Sequence, residues 1–397
     1  MKKSLRVGGI IGGFLLIVGA SLLLCAILFR PNRSEVALGP QNPLEPDPIP
    51  KAVSANMRIL FTGTTFWGRR TNTKARASAL GVAYPFSQLD TLHREDYDSW
   101  IGGLECPVTN NGHDSYAEEK LFEFNCDPDY LPEASKYFTG FLLGNNHTDN
   151  QGPEGFAETK QHLQENGIQY FGSYEYADGE NNCGVLSLPV NVALDNDETK
   201  QYKLPIAFCS AHGVFGVPTE ANRANVEKHA QVLPTVVMLH MGAEYETSAD
   251  RLRQNLYREY INRGADAVIG DHPHTIQNVE AYNGRLIVYS MGNFMFDQAT
   301  METARSAAID AAVSVNVDDV DFEAWDKLAQ QCEAANGMCY DLIAAAGLPK
   351  LQLTWKCDYR GTTTDRNTLI PHAANDSENA SIGQRLNWAA LPAELKQ

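Results

Sequence analysis

Basic residues are the scarce class in this chain: 32 Lys and Arg stand against 49 Asp and Glu, for a formal net charge of −17. A nucleic-acid ligand needs a basic surface from which to release counterions, so that partner class is argued against at the outset. The same charge repels a polyanion at long range, although salt screens the repulsion beyond about 8–10 Å and a local basic patch could still recruit one. Internal repeats and heptads are absent, and low complexity is confined to one proline-rich stretch near the start. Charge is missing altogether from residues 8–29, GGIIGGFLLIVGASLLLCAILF. That run is long enough to cross a bilayer as a helix, for which about 20 residues suffice.

A cleaved signal peptide is the alternative for this run, but its apolar region is normally about 7–15 residues and ends in a small-residue cleavage site. Leu24 before Cys25 does not fit a lipoprotein signal either. An uncleaved signal anchor is therefore expected. Lys2, Lys3 and Arg6 hold residues 1–7 inside, Arg30 and Arg33 oppose this only in part, and the remainder faces outward as a single-pass cell-membrane protein. Residues 30–56 carry Pro31, Pro40, Pro43, Pro46, Pro48 and Pro50, which favours an extended spacer rather than a packed unit.

From residue 57 the chain alternates strand-like and helix-like pieces, the signature of an α/β domain expected to run to residue 373. Strands are expected at 57–62, 100–104, 140–143, 185–192, 204–210, 235–240, 267–270 and 286–290, and helices at 153–166, 250–263 and 322–346. Strand-like pieces at 308–317 and 351–359 flank a helical insert at 321–347 and complete the sheet, while 374–397 read as a loosely ordered tail. Cys106, Cys126, Cys183, Cys209, Cys332, Cys339 and Cys357 lie beyond the apolar run. An exported domain permits disulfides, with Cys332–Cys339 and Cys183–Cys209 suggested by position. Buried unpaired thiols are an equal alternative for each, and the odd count leaves one over.

Chemistry concentrates between residues 236 and 297. In VVMLHMGAEY, GADAVIGDHPHTIQ and LIVYSMGNFMFD, apolar β-branched runs stop abruptly at imidazole, carboxylate and glycine, placing His240, Glu244, Asp271, His272 and His274 at the ends of adjacent strands. Upstream, FTGFLLGNNHTDNQG sends a strand into Asn145, Asn146 and His147. Singly, each histidine reads as a strand-terminal residue satisfied by backbone hydrogen bonds. Together they favour a metal site, because His272 and His274 flank the rigid Pro273 and sit two apart on one side of an extended chain. Imidazoles, an amide and a carboxylate suit Zn, Mn or Fe. Trp67, Arg69 and Arg70 form either a cationic, aromatic clamp for an anionic group or a solvated loop.

Five pieces in order, LECPVT (104–109), NNH (145–147) with its downstream turn at 167–173, HMGAEY (240–245), GDHPHTIQ (270–277) and YSMGNFMFD (289–297), resemble the CapA, or poly-γ-glutamate capsule synthesis, family. That family is a branch of the calcineurin-like metallophosphoesterase superfamily, and the likeness extends over roughly residues 57–300. The resemblance implies a sandwich of two central β-sheets flanked by helices. It also implies Asn146, His240 and His272 on one metal, Glu105 bridging two, His274 on the other, and His147 as the general acid. Two departures accompany it. Thr64 follows Gly63 where the family has the carboxylate of a Gly-Asp pair, and Asn150 stands where an Asp is usual, beside Asp149. One ion rather than two is therefore expected. Thr64, Arg69, Asn145, Asp149, Glu244, Asp271 and Asn293 are the remaining cleft candidates. The implied role is capsule-polymer synthesis or export, either as a metal-dependent hydrolase or transferase or as a non-catalytic scaffold. Its implied partners are an anionic capsule-type polymer or its precursor, the membrane and other capsule synthesis proteins.

Overall fold

In the computed structural model, residues 50–114, 122–298 and 300–397 are described. The expected cytoplasmic tail, the apolar span and the linker up to residue 49 lie outside them. Among the described residues no helix is long and apolar enough to cross a membrane.

The organising element is an unusually long first strand. β1 (Ala52–Thr65) has alternating burial at its start and complete burial from Leu60 onward. This is the pattern of a strand that leaves an edge and enters a sheet covered on both faces. It begins five residues earlier than the spacer reading allows: Ala52 and Ser54 pair with Leu194 and Ala193, so 52–56 belong to the sheet and not to the linker. The other strands are β2 (Ser99–Leu104), β3 (Gly140–Leu142), β4 (Gln169–Phe171), β5 (Cys183–Leu194), β6 (Thr199–His212), β7 (Thr235–His240), β8 (Ala267–Asp271), β9 (Val279–Tyr282), β10 (Arg285–Val288), β11 (Asn293–Met295), β12 (Arg305–Val315), β13 (Leu353–Thr364) and β14 (Pro371–Ala373).

Where two separate sheets are expected, the described strands form one hydrogen-bonded network of 14. Its main path runs β14-β13-β12-β1-β5-β6-β7-β8-β10-β9, and a branch leaves β1 through β2, β3 and β4, with β11 also on β1. The length of β1 explains the difference, since its first half pairs with β5 and β12 while its last residues pair with β2 and β11. Two parallel groups result, β1-β2-β3-β4 and β6-β7-β8-β10, each delivering its carboxyl ends to loops that carry the polar motifs. Carboxyl ends of parallel strands are where α/β sheets bind ligands.

The helices are α1 (Arg69–Ala77), α2 (Leu131–Ala134), α3 (Gly152–Glu165), α4 (Glu220–Ala230), α5 (Arg251–Asn262), α6 (Phe322–Ala334), α7 (Tyr340–Ala346) and α8 (Asp376–Leu386). The single insert helix expected at 322–346 is broken in two, because Gly337 takes φ +76° and the Cys332–Cys339 disulfide closes the turn. Cys183–Cys209 also forms, across register partners of β5 and β6, and Cys106–Cys126 is a third bridge; Cys357 is the buried odd thiol.

The tail is ordered, contrary to expectation. Asn375 and Glu378 form a capping box at the start of α8, a signal legible in the sequence, and Ile382, Leu386, Trp388, Leu391 and Leu395 are buried. The chain end reaches the fully buried Asp310, whose carboxylate accepts from Gln397 Nε2 (3.1 Å), Arg58 Nε (2.8 Å), Arg360 Nε (3.1 Å) and Tyr97 Oη (3.2 Å). Asp310 thereby ties β1, β12, β13 and the chain end into one knot.

Two outcomes follow from these contacts. Removing residues 375–397 uncovers the Ile382 and Leu386 side of the core, and should lower the melting temperature and raise dye binding to exposed apolar surface. Asp310→Ala leaves two guanidinium groups without their carboxylate and should destabilise by about 1.5–3 kcal/mol, the usual worth of hydrogen bonds to a charged group. Urea denaturation measures this, and a change under about 0.5 kcal/mol, the scatter of ordinary surface substitutions, would show the knot to be idle.

Candidate metal centre

The first parallel group supplies one wall of the cleft. Glu105 follows the last residue of β2 and is fully buried, as is Asn145 beyond β3. Asn145 donates Nδ2–H to Leu104 O (2.7 Å) and accepts from the backbone of His147 (3.0 Å) and Thr148 (3.1 Å). Its role is to shape the turn that presents Asn146 and His147, and it makes no direct contribution to the cluster. The second group supplies the other wall. β7 ends on His240 and β8 on Asp271, register partners in adjacent parallel strands.

The two walls meet at short distances. His240 Nε2 lies 2.8 Å from Asn146 Oδ1, 3.7 Å from Glu105 Oε1 and 3.1 Å from His272 Nδ1. His147 Nε2 and His274 Nε2 each lie 3.9 Å from Glu105 Oε1. Ligand atoms of Glu105, His240 and His272 all fall within 4.8 Å of one another. The structure thus brings Glu105, Asn146, His147, His240, His272 and His274 into one cleft. The HPH segment reaches it differently from the extended presentation expected: His272 takes φ +92° and His274 φ +57°, so the chain kinks at both imidazoles. Such backbone costs of order 1–3 kcal/mol per residue and persists where surrounding contacts fix it.

The donor set has the character of a cation site. Both carboxylate oxygens of Glu105 are buried without a hydrogen-bond partner. Burial, followed by repulsion from Asp271 and Glu244, pushes Glu105 well above the usual carboxylate range. Burial likewise drives His240 and His272 well below the usual imidazole value, which favours the neutral form of both rings. An unpartnered carboxylate, an amide oxygen and neutral imidazoles facing one another fit a divalent ion, and the chemistry of the set leaves the choice among Mn, Zn and Fe open.

The other candidates separate into supports and bystanders. Asn293 Oδ1 accepts from His274 Nδ1 (2.7 Å), and Asn150 Oδ1 accepts from His147 Nδ1 (2.9 Å) and from Phe124 N (2.8 Å). Asp149 is half-buried, with its charge felt at Tyr174, and Glu244 is exposed at the mouth. Thr64 is buried at the end of β1 with Oγ1 3.5 Å from Asp271 Oδ2. Residues 67–70 form neither the clamp nor the solvated loop expected, since α1 begins at Arg69 and Trp67 and Arg69 are packed inside. Trp67 is fully buried among aromatics, and Arg69 stacks on Phe66, Phe124 and Phe296 while Asp297 occupies its guanidinium. Sequence reasoning missed Asp297, Phe124, which stacks on His147 at 3.9 Å between ring centroids, and Tyr245, whose ring faces His274 at 6.1 Å. Only long-range contact reveals them.

Against known proteins, the profile described as bacterial capsule synthesis protein PGA_cap matches residues 58–298. The chain is similar to the PGA biosynthesis protein CapA of Bacillus subtilis, at 27% identity over 254 residues, covering 63% of this chain and 66% of that one. It is also similar to the capsule biosynthesis protein CapA of Bacillus anthracis, at 25% identity over 281 residues, covering 66% and 65%. The chain thus spans just under two thirds of the length of these curated relatives. A solved structure of a candidate 5'-nucleotidase from Staphylococcus aureus overlaps at TM-score 0.36 and 14% identity, covering 70% of this chain and 58% of that one, too low a likeness to carry an argument. The profile match contains every strand end that builds the cleft, and the chain belongs to the bacterial capsule synthesis protein PGA_cap family.

Proposed function

We propose that this protein acts at the cell surface in the synthesis or export of a capsule-type polymer, as a hydrolase or transferase that depends on one divalent ion. The observation that carries this reading is the buried Glu105 carboxylate, unpartnered and faced by neutral imidazoles. Glu105, Asn146, His240 and His272 would hold the ion, which supplies Lewis acidity toward a phosphoryl or carbonyl oxygen. The names of the Bacillus relatives support a capsule polymer or its precursor as substrate. The uncharged run at residues 8–29 supports a membrane anchor with the domain outside.

His147 is set up differently from the acid implied by family resemblance. Asn150 Oδ1 already accepts from Phe124 N and accepts from His147 Nδ1 as well, so a neutral His147 presents a lone pair at Nε2. Burial lowers its pKa to about 4, and the hydrogen bond to the neutral Asn150 opposes this only in part. At neutral pH the ring therefore has no proton at Nε2 to give, and the same lowering weakens it as a base. A specific observation favours a second reading, a binding component without turnover. At the end of β1 a neutral Thr64 stands where the family resemblance implies a metal-binding carboxylate beside His274 and Glu105, which removes one ligand of a second metal.

His240→Ala should abolish Mn²⁺ binding measured by calorimetry, because it removes one of four ligands and leaves Glu105 uncompensated. His274→Ala should change affinity far less; equal losses would demonstrate two coupled ions. Capsule production restored in a deletion strain by wild type but not by His240→Ala supports turnover or metal-dependent binding, whereas full complementation by His240→Ala would sink the metal reading. Protease added to intact cells should remove the domain and leave a small anchored fragment, and complete protection would contradict surface display.

A further inference from the structure

We propose that Asp271 is a positioning residue of this centre: through His240 it dictates which imidazole nitrogen faces the ion, and Thr64 and Gly103 are small and neutral because they house its carboxylate. The inference rests on the single-ion reading above and adds a residue to which neither family resemblance nor ligand count assigns a role. Asp271 Oδ1 lies 2.7 Å from His240 Nδ1, with both side chains almost fully buried. Adjacent parallel strands place the two in register, so the contact is set by backbone pairing. The second oxygen, Oδ2, faces Thr64 Oγ1 at 3.5 Å, and a Cβ at position 103 would collide with it. Residues of three strands, β1, β2 and β7, therefore close around one carboxylate.

Burial raises the pKa of Asp271 to about 7, so at the pH 8 of the test below its carboxylate only accepts hydrogen bonds. Across the 2.7 Å contact the proton of a neutral His240 is then drawn to Nδ1, and Nε2 is left with its lone pair directed at Asn146, Glu105 and His272. Without Asp271 the opposite tautomer becomes available. Nε2–H would then donate to Asn146 Oδ1 across the existing 2.8 Å contact, occupying both ligands and shutting the ion out. Metal-ligating histidines are commonly held by a carboxylate in this way, and its loss costs about 10–100-fold in metal affinity. A carboxylate at position 64 would compete for the same space, which gives Thr64 a physical reason. It is the neutral neighbour that an anion at 271 requires, and Thr64→Asp alone should lower the melting temperature in chelator through like-charge repulsion.

The test uses the full-length chain with ¹⁵N-labelled histidine, together with Asp271→Asn, Thr64→Asp and the double variant. At pH 8 without metal, the nitrogen shifts of wild-type His240 should show a protonated Nδ1 and an unprotonated Nε2. Asp271→Asn should show mixed tautomers and bind Mn²⁺ about 10–100-fold more weakly. The double variant Thr64→Asp/Asp271→Asn restores the charge about one residue away without restoring the contact to Nδ1, so its affinity should stay low. Recovery of wild-type affinity there would mean that only total charge matters and would overturn the proposal. So would wild-type His240 protonated at Nε2, a result readable even if Asp271→Asn fails to fold. Absence of Mn²⁺ binding by wild type, with the Nδ1 tautomer still present, would instead remove the single-ion reading while leaving Asp271 as the residue that orients His240.

Discussion

One carboxylate, Glu105, is buried without a hydrogen-bond partner, and the arrangement of the cleft follows from the need to compensate it. An isolated ionised carboxylate costs several kcal/mol to bury, whereas a hydrogen bond returns only about 0.5–1.5 kcal/mol. Against a total folding stability of roughly 5–15 kcal/mol, that is a large fraction to leave unopposed. Protonation is one resolution, and burial drives Glu105 toward it in the absence of metal. A divalent cation is the other, and the surrounding groups are arranged for it: neutral imidazoles and an amide oxygen instead of the lysine or arginine that would neutralise the charge permanently. Arg69, the nearby cation, is diverted to Asp297 and caged by three phenylalanines.

The sheet makes this convergence possible. β1 is long enough to join two parallel groups, so the carboxyl ends of β2 and β3 face those of β7 and β8 across a few ångströms. Around the cluster stands a ring of orienting groups, with Asn293 behind His274, Asn150 behind His147 and Asp271 behind His240. Only one of the three is a carboxylate, and burial raises its pKa to about 7. That asymmetry singles out His240 as the imidazole whose Nδ1 is held by a carboxylate, the contact that fixes which of its nitrogens faces the cluster.

Much of this was legible in the sequence. Apolar runs that end in polar residues located β7 to the residue and the other expected strands to within a few positions, because period-2 burial and abrupt polarity changes are local signals. The six clustered side chains were legible for the same reason, each lying within five residues of a strand end. What stayed hidden depends on distant pairing. The dual membership of β1 needs β5 and β11, separated from it by more than a hundred residues, and the pairing of Arg69 with Asp297 spans 228. The ordered α8 is a different case: its capping box at Asn375 and Glu378 is a local signal that outweighs the loose order a position near the chain end suggests. Asp271 stood in plain sight between glycine and histidine, and only the register of β7 against β8 shows what it holds.

Metal content measured by elemental mass spectrometry on the full-length chain, purified without chelator, tests the central claim most directly. The account requires close to one transition-metal or manganese ion per chain, lost on His240→Ala. A reproducible content near zero after incubation with Mn²⁺, Zn²⁺ and Fe²⁺ in turn would show that Glu105 is kept neutral by protonation alone, and a content near two would show that Thr64 does not prevent a second ion.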